Sequence, residues 1–89
     1  MNRLADQIRK YYTVVDTSVS GDSEGLTIEE NGENFTVIAE ARSLTIYRSF
    51  KDVGGHGWCF LPGSRTGKSL KTVSSFINAR LKRKALEQR

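Results

Sequence analysis

The dipeptide Asn31-Gly32, with alternating apolar and polar residues on both sides, is the feature that most constrains the fold of this chain. Apolar and polar residues alternate over 26–29 before the dipeptide and over 35–40 after it. A period of two is that of a β-strand with one buried face, and Asn-Gly is the preferred dipeptide of a two-residue hairpin turn. The sequence therefore predicts a β-hairpin centred on Asn31-Gly32.

Further strand signals follow the hairpin. Residues 40–43 predict a second turn, and residues 44–50 alternate again, which predicts a third strand. Glycines within 54–57 break that strand, after which residues 58–61 are either a short fourth strand or the floor beneath a final helix, ended by Pro62-Gly63. Residues 13–24 mix β-branched with polar residues and fit a short strand before a polar loop. In this register Thr36, Ile38 and Tyr47 face away from the main core. We expect them to form a stacking or partner-binding surface unless residues 13–20 cover them.

Helical spacing occurs at both ends of the chain. Apolar residues at i, i+4, i+7 and i+11 predict a short amphipathic helix over 2–12; they are Leu4, Ile8, Tyr11 and Val15. A second series of apolar residues at helical spacing predicts a helix from about Ser69, a suitable N-cap, to about Leu86. We therefore predict an α+β fold, an antiparallel three- to four-stranded sheet flanked by an N-terminal and a C-terminal helix, in the order α-β-β-β-(β)-α.

The chain length favours a single compact domain over 1–89, since 89 residues with 37% apolar content bury one modest core. Cys59 is the only cysteine, the first ten residues are too charged for a signal peptide, and no apolar run approaches a membrane span. We expect a cytoplasmic protein with no membrane partner.

The charges are sorted along the chain. Residues 13–41 contain seven acidic residues and no lysine or arginine, whereas residues 61–89 contain eight basic residues and one acidic residue. Such a separation of charge indicates which partners the protein can bind more than which fold it adopts, because a basic surface attracts polyanions.

The basic segment contains the predicted site. Residues 62–69 combine glycines and hydroxyl side chains just before a helix N-terminus, as in an anion-binding loop. They do not match a phosphate-binding P-loop, because Pro62 stands where its first glycine belongs and only three residues, instead of four, separate Gly63 from Gly67. Cations in a first helical turn are unfavourable unless an anion binds them, and Lys71, Asn78 and Lys82 share one side of the helix. We predict a non-enzymatic nucleic-acid-binding module without catalytic residues, metal or cofactor, reading phosphates rather than bases. The predicted contact residues are Ser64, Arg65, Gly67, Lys68, Lys71, Asn78 and Lys82.

Two alternatives remain open from the sequence. The separated acidic and basic patches suit a small adaptor or inhibitor that docks on another protein, of the kind that phages and mobile elements often encode. The acidic hairpin, which includes Glu29, Glu33 and Glu40, either repels a phosphate backbone or pairs internally with the basic helix.

The second alternative is a small ribonuclease centred on His56. Gly54–His56 and the helix that follows resemble the small messenger-RNA-cleaving toxins with a double-stranded-RNA-binding-like fold, in which such a histidine is the catalyst. The order of helix, antiparallel meander and helix resembles the double-stranded-RNA-binding domain itself, a likeness that gives Lys68 and Lys71 the phosphate contacts. The Lys-Lys-x-Ala-Lys run of that family is absent here.

Overall fold

A computed structural model describes residues 2–55 and 57–87 as a five-stranded antiparallel sheet with a helix at each end of the chain. The predicted α+β class is therefore confirmed, with one strand more than the upper expectation. The elements are α1 (Arg3–Tyr11), β1 (Thr13–Ser20), β2 (Ser23–Glu30), β3 (Glu33–Ala39), β4 (Leu44–Lys51), β5 (Trp58–Gly67) and α2 (Leu70–Glu87). The strands form a simple meander in the order β1-β2-β3-β4-β5, so β1 and β5 are the two edges of the sheet.

The predicted central hairpin is confirmed. Asn31 and Gly32 have φ angles of 49° and 77°, and positive φ at both central residues defines the type I′ turn that Asn-Gly favours. This turn pairs Ile28 with Phe35, so the apolar residues of β2 and β3 fall on the same face. The predicted turn over 40–43 is closed by a backbone hydrogen bond of 2.8 Å from the Glu40 N–H to the Ser43 carbonyl.

The helices cover one face of the sheet and bury its apolar residues. Ala5 and Ile8 of α1 and Val73 and Ile77 of α2 are buried there. The sheet contributes Leu26, Ile28, Phe35, Val37, Ala39, Leu44 and Ile46, all completely buried. Neither helix in the described part of the chain is long and apolar enough to cross a membrane.

The start of α1 is tied to the sheet by one side chain. Asn2 accepts a hydrogen bond from the Ala5 N–H at 3.1 Å and donates one to the Ala39 carbonyl at 2.9 Å. The first bond caps the helix, and the second joins its N-terminus to the end of β3. One expectation for this region was wrong: Tyr11 belongs to the apolar series but is 63% exposed. Val15 lies in β1, within the segment that was predicted to hold a short strand.

The edge strands are longer than the sequence suggested. β1 is a full eight-residue strand, although its residues mix polar and β-branched types. β5 continues through Pro62 and Gly63 to Gly67, so the prediction that this dipeptide ends the strand was wrong. The register shifts here, with Tyr47 opposite Ser64 but Ser49 opposite Phe60. The extra residues form a bulge on an edge strand. Proline is tolerated there because its missing N–H leaves no hydrogen bond of the sheet unmade, and Gly63 takes a φ of 92°.

Candidate nucleic-acid interface

The segment predicted to be an anion-binding loop is the second half of β5, so that geometry was wrong. Its backbone pairs with β4, with Thr45 opposite Thr66 and Ile46 opposite Arg65. Successive residues of a strand point to opposite faces. Arg65 therefore lies on the side of the helices, whereas Ser64 lies on the open side, and the two predicted contact residues are separated by the sheet.

Gly67 has a packing role at the junction of β5 and α2. A Cβ atom at this position would collide with the side chain of Thr72, in the first turn of α2. The absence of a side chain thus allows the end of the strand to meet the start of the helix. The neighbouring Lys68 is exposed just before that helix.

The outer surface of α2 carries the predicted basic stripe. Lys71, Asn78 and Lys82 are all exposed, and their spacing places them on the side of α2 opposite the buried Val73 and Ile77. The structure therefore brings these three residues together as predicted and separates them from Ser64.

Four arginines line a groove between α2 and the β4–β5 edge. Arg48 and Arg65 come from the strands and Arg80 and Arg83 from the helix, around a cavity of about 320 Å³. We call this the arginine groove; its remaining lining comes from Pro62, Gly63, Phe76, Ala79 and Glu87. Arg48 was not among the residues predicted from the sequence. The signal for it is its position in β4, which continues the inward-facing series of the buried Leu44 and Ile46.

One arginine of the groove is held by the acidic hairpin. Arg80 donates to both carboxylate oxygens of Glu33, at 2.8 and 3.3 Å, and lies 3.8 Å from Glu87. Arg80 and Glu33 are only 16% and 17% exposed. The hydrogen bond lowers the pKa of Glu33 and raises that of Arg80, so both stay charged.

Glu33 of the acidic hairpin therefore pairs internally with Arg80 of α2, one of the two possibilities that the sequence left open. Glu24 is also paired, with Arg9 of α1 at 3.1 Å. By contrast, no carboxylate of residues 2–55 and 57–87 lies within ion-pair distance of Arg48, Arg65 or Arg83. The arginine groove consequently keeps an excess of positive charge after the internal pairs are counted.

The opposite face of the sheet is aromatic and polar, and α1 and α2 both pack on the other side. Thr36, Ile38 and Tyr47 lie there, as the predicted register required. Tyr47 stacks on Phe60 with ring centroids 4.9 Å apart and an interplanar angle of 12°. The Lys51 ammonium lies 5.1 Å from the centre of the Trp58 ring.

A second cavity, of about 310 Å³, lies on this open face, and its walls include Trp58, Phe60 and Ile38. Buried hydroxyls lie beside it: Thr27 bonds Thr36, and Thr36 donates to Ser49, both at 2.9 Å. The cavity is partly enclosed because β1 and β5 approach each other across it, with Trp58 Nε1 donating to Asp16 at 2.8 Å. The centre of this face is thus enclosed, with Thr27 and Thr36 buried, whereas Phe60 stays 47% exposed.

His56, on which the nuclease alternative is centred, lies outside the described residues. Cys59 is half-buried in β5 opposite Phe50. The likeness to the double-stranded-RNA-binding layout extends to the order of helix, antiparallel meander and helix, but the sheet here has five strands.

No protein-family model matches this chain, and neither the curated proteins nor the solved structures give a significant match to it.

Proposed function

We propose that this protein is a non-enzymatic nucleic-acid-binding module that contacts phosphates through the arginine groove and the adjoining outer surface of α2. The observation that supports this proposal best is the convergence of four arginines from β4, β5 and α2 on one groove, three of them without a carboxylate partner in the described part of the chain. A cytoplasmic location, expected from the composition, belongs to the same proposal.

The chemistry of arginine suits phosphate. Its planar guanidinium presents several N–H donors that match two oxygens of one phosphate, and it is more weakly hydrated than an ammonium group. Like charges that converge without a counter-ion repel each other, and a bound anion reverses that repulsion. Arg48, Arg65 and Arg83 are placed for this role, whereas Glu33 holds Arg80 in position.

The outer surface of α2 extends the positive region. The helix has 18 residues, which corresponds to about 27 Å at 1.5 Å per residue. Lys71 and Lys82 lie along most of that length, so a nucleic-acid backbone that enters the groove has further cations within reach. Contacts of this kind supply affinity without base readout.

The test is fluorescence anisotropy with labelled single- and double-stranded RNA and DNA at about 50 and 200 mM salt. A protein that makes three phosphate contacts loses roughly 20- to 40-fold in affinity over this range. The double variant Arg65→Glu with Arg83→Glu should bind every probe more weakly and reduce the slope of log affinity against log salt by about two.

The matched control is Arg42→Glu, which reverses a charge at the exposed β3–β4 turn, beyond the end of β4 remote from Arg48. It should leave the salt slope unchanged. Failure of the wild-type protein to bind any probe at low salt would overturn the proposal, as would equal effects of the groove and control variants. Intact RNA after incubation is expected of a non-enzymatic binder.

A further inference from the structure

We infer that the ligand is single-stranded and that an unpaired base stacks on the open sheet face, beside Phe60 and Trp58, while the adjacent phosphates lie in the arginine groove. This inference rests on the proposed function, because it specifies which nucleic acid that function concerns. The occupant of the open sheet face is a base carried by a strand that crosses the β5 edge.

The aromatic residues are arranged as a stacking surface. Phe60 is 47% exposed although its ring already stacks on Tyr47, which holds the ring in a fixed orientation. Trp58 lies two residues away on the same face of β5, a separation of about 6.6 Å along a strand. Base–aromatic stacking is the main sequence-tolerant contact in proteins that bind single strands.

The cavity beside these rings has the size and chemistry for a flat heteroaromatic ring. Its volume of about 310 Å³ lies at the small end of the range for ligand pockets. Its walls combine the apolar side chains of Ile38, Trp58 and Phe60 with polar residues, among them Asp16. The hydroxyl protons of Thr27 and Thr36 are used within the sheet, so their oxygens line the cavity as acceptors for a base edge. A base inside a duplex exposes only its edges in the grooves, so only an unpaired base can enter.

The position of β5 connects the two sites. β5 is an edge strand, and within residues 2–55 and 57–87 no strand pairs with its outer edge, along which a chain can pass from one side of the sheet to the other. Phe60 faces the open side, whereas Pro62, Gly63 and Arg65, a few residues further along β5, line the arginine groove. On the open face the Lys51 ammonium over the Trp58 ring is balanced by the Asp16 carboxylate that bonds the indole N–H, so the excess positive charge at this edge lies in the arginine groove. This complementarity to a polyanion favours nucleic acid over an apolar occupant.

The experiment uses Trp58, the only tryptophan of the chain, as the reporter. Wild-type protein is titrated with a single-stranded oligonucleotide, and separately with its duplex, at about 50 mM salt. Single strands should quench Trp58 fluorescence and bind more tightly than the duplex. Phe60→Leu should weaken single-strand binding by about 5- to 150-fold, the range for loss of one stacked base, and leave duplex binding unchanged.

Phe50→Leu is the matched control. Phe50 is 45% exposed, close to the exposure of Phe60, but it lies on the other face of the sheet, opposite Cys59. If Phe60→Leu and Phe50→Leu act alike, or if binding leaves Trp58 fluorescence unchanged, the inference is wrong while salt-dependent binding through the groove still stands. If wild-type protein binds no probe, the inference and the proposed function both fail.

Discussion

Trp58 and Asp16 join the two edges of the sheet: the indole N–H of Trp58 in β5 donates to the Asp16 carboxylate in β1 at 2.8 Å. Three strands lie between β1 and β5, and in a flat sheet the two edges would be roughly 19 Å apart. The contact therefore requires a strongly curved sheet, and this curvature encloses the cavity on the open face.

The Asp16–Trp58 bond should make stability depend on pH. This hydrogen bond is the main cause that lowers the pKa of Asp16 in the folded protein. The ionised carboxylate therefore stabilises the fold above its unfolded pKa of about 3.9. That stabilisation is lost as the pH falls through the lower, folded-state pKa. Asp16→Asn should thus be less stable than wild type at pH 7, with the difference vanishing in acid. Urea unfolding monitored by Trp58 fluorescence measures it; Asp22→Asn, at the exposed β1–β2 turn, should show no such convergence.

Glu33→Gln should lower the free energy of unfolding by about 1 kcal/mol, because the charged Arg80 guanidinium then donates to a neutral amide oxygen instead of a carboxylate. Since the pKa of Glu33 is lowered in the folded protein, the loss should be complete at pH 7 and should disappear in acid. A double-mutant cycle with Arg80→Gln isolates the pair, and a coupling energy near zero at pH 7 would contradict it.

The same substitution should raise nucleic-acid affinity while lowering stability. Replacing the Glu33 carboxylate by an amide deletes a negative charge beside the arginine groove, so residue 33 no longer neutralises the charge of Arg80. Anisotropy titrations at about 50 mM salt should show tighter binding than wild type, with a smaller gain at 200 mM because salt screens the charge. Weaker binding in a folded variant would indicate that the pair is needed to hold Arg80 in place.

Lys71→Glu with Lys82→Glu should weaken binding to all probes to a similar extent and reduce the salt slope by about two. Both residues are exposed on the outer surface of α2, away from the core, so the variant should unfold at the wild-type temperature. Thermal unfolding by circular dichroism provides that control. An unchanged affinity would restrict the phosphate contacts to the arginine groove.

Gly67→Ala should destabilise the protein by about 1–3 kcal/mol, since a methyl group would collide with Thr72 at the start of α2. Gly57→Ala is the control because a Cβ there has no atom within 4 Å. Chemical unfolding of both variants gives the comparison. Equal stabilities would show that the junction between β5 and α2 relaxes without cost.

Local patterns in the sequence accounted for the elements whose structure depends on neighbouring residues. The turn at Asn31-Gly32 follows from backbone preference, and the buried faces of β2 and β3 follow from alternation. Helical spacing likewise predicted α2 and the common side of Lys71, Asn78 and Lys82. Each of these features is encoded within a few residues of chain, so a period of two or 3.6 is enough to find it.

Tertiary structure decided what depends on partners distant in the chain. Pro62-Gly63 would end an isolated strand, yet β5 continues because β4 pairs with it on both sides of a bulge. Arg65 meets Arg48 and Arg80 only because α2 packs across β4 and β5, and Asp16 meets Trp58 only because the whole sheet curves. Residue types and charges along the chain thus determined the elements and a basic surface, whereas packing and sheet curvature, which arise from contacts between distant segments, decided which of those residues share a site.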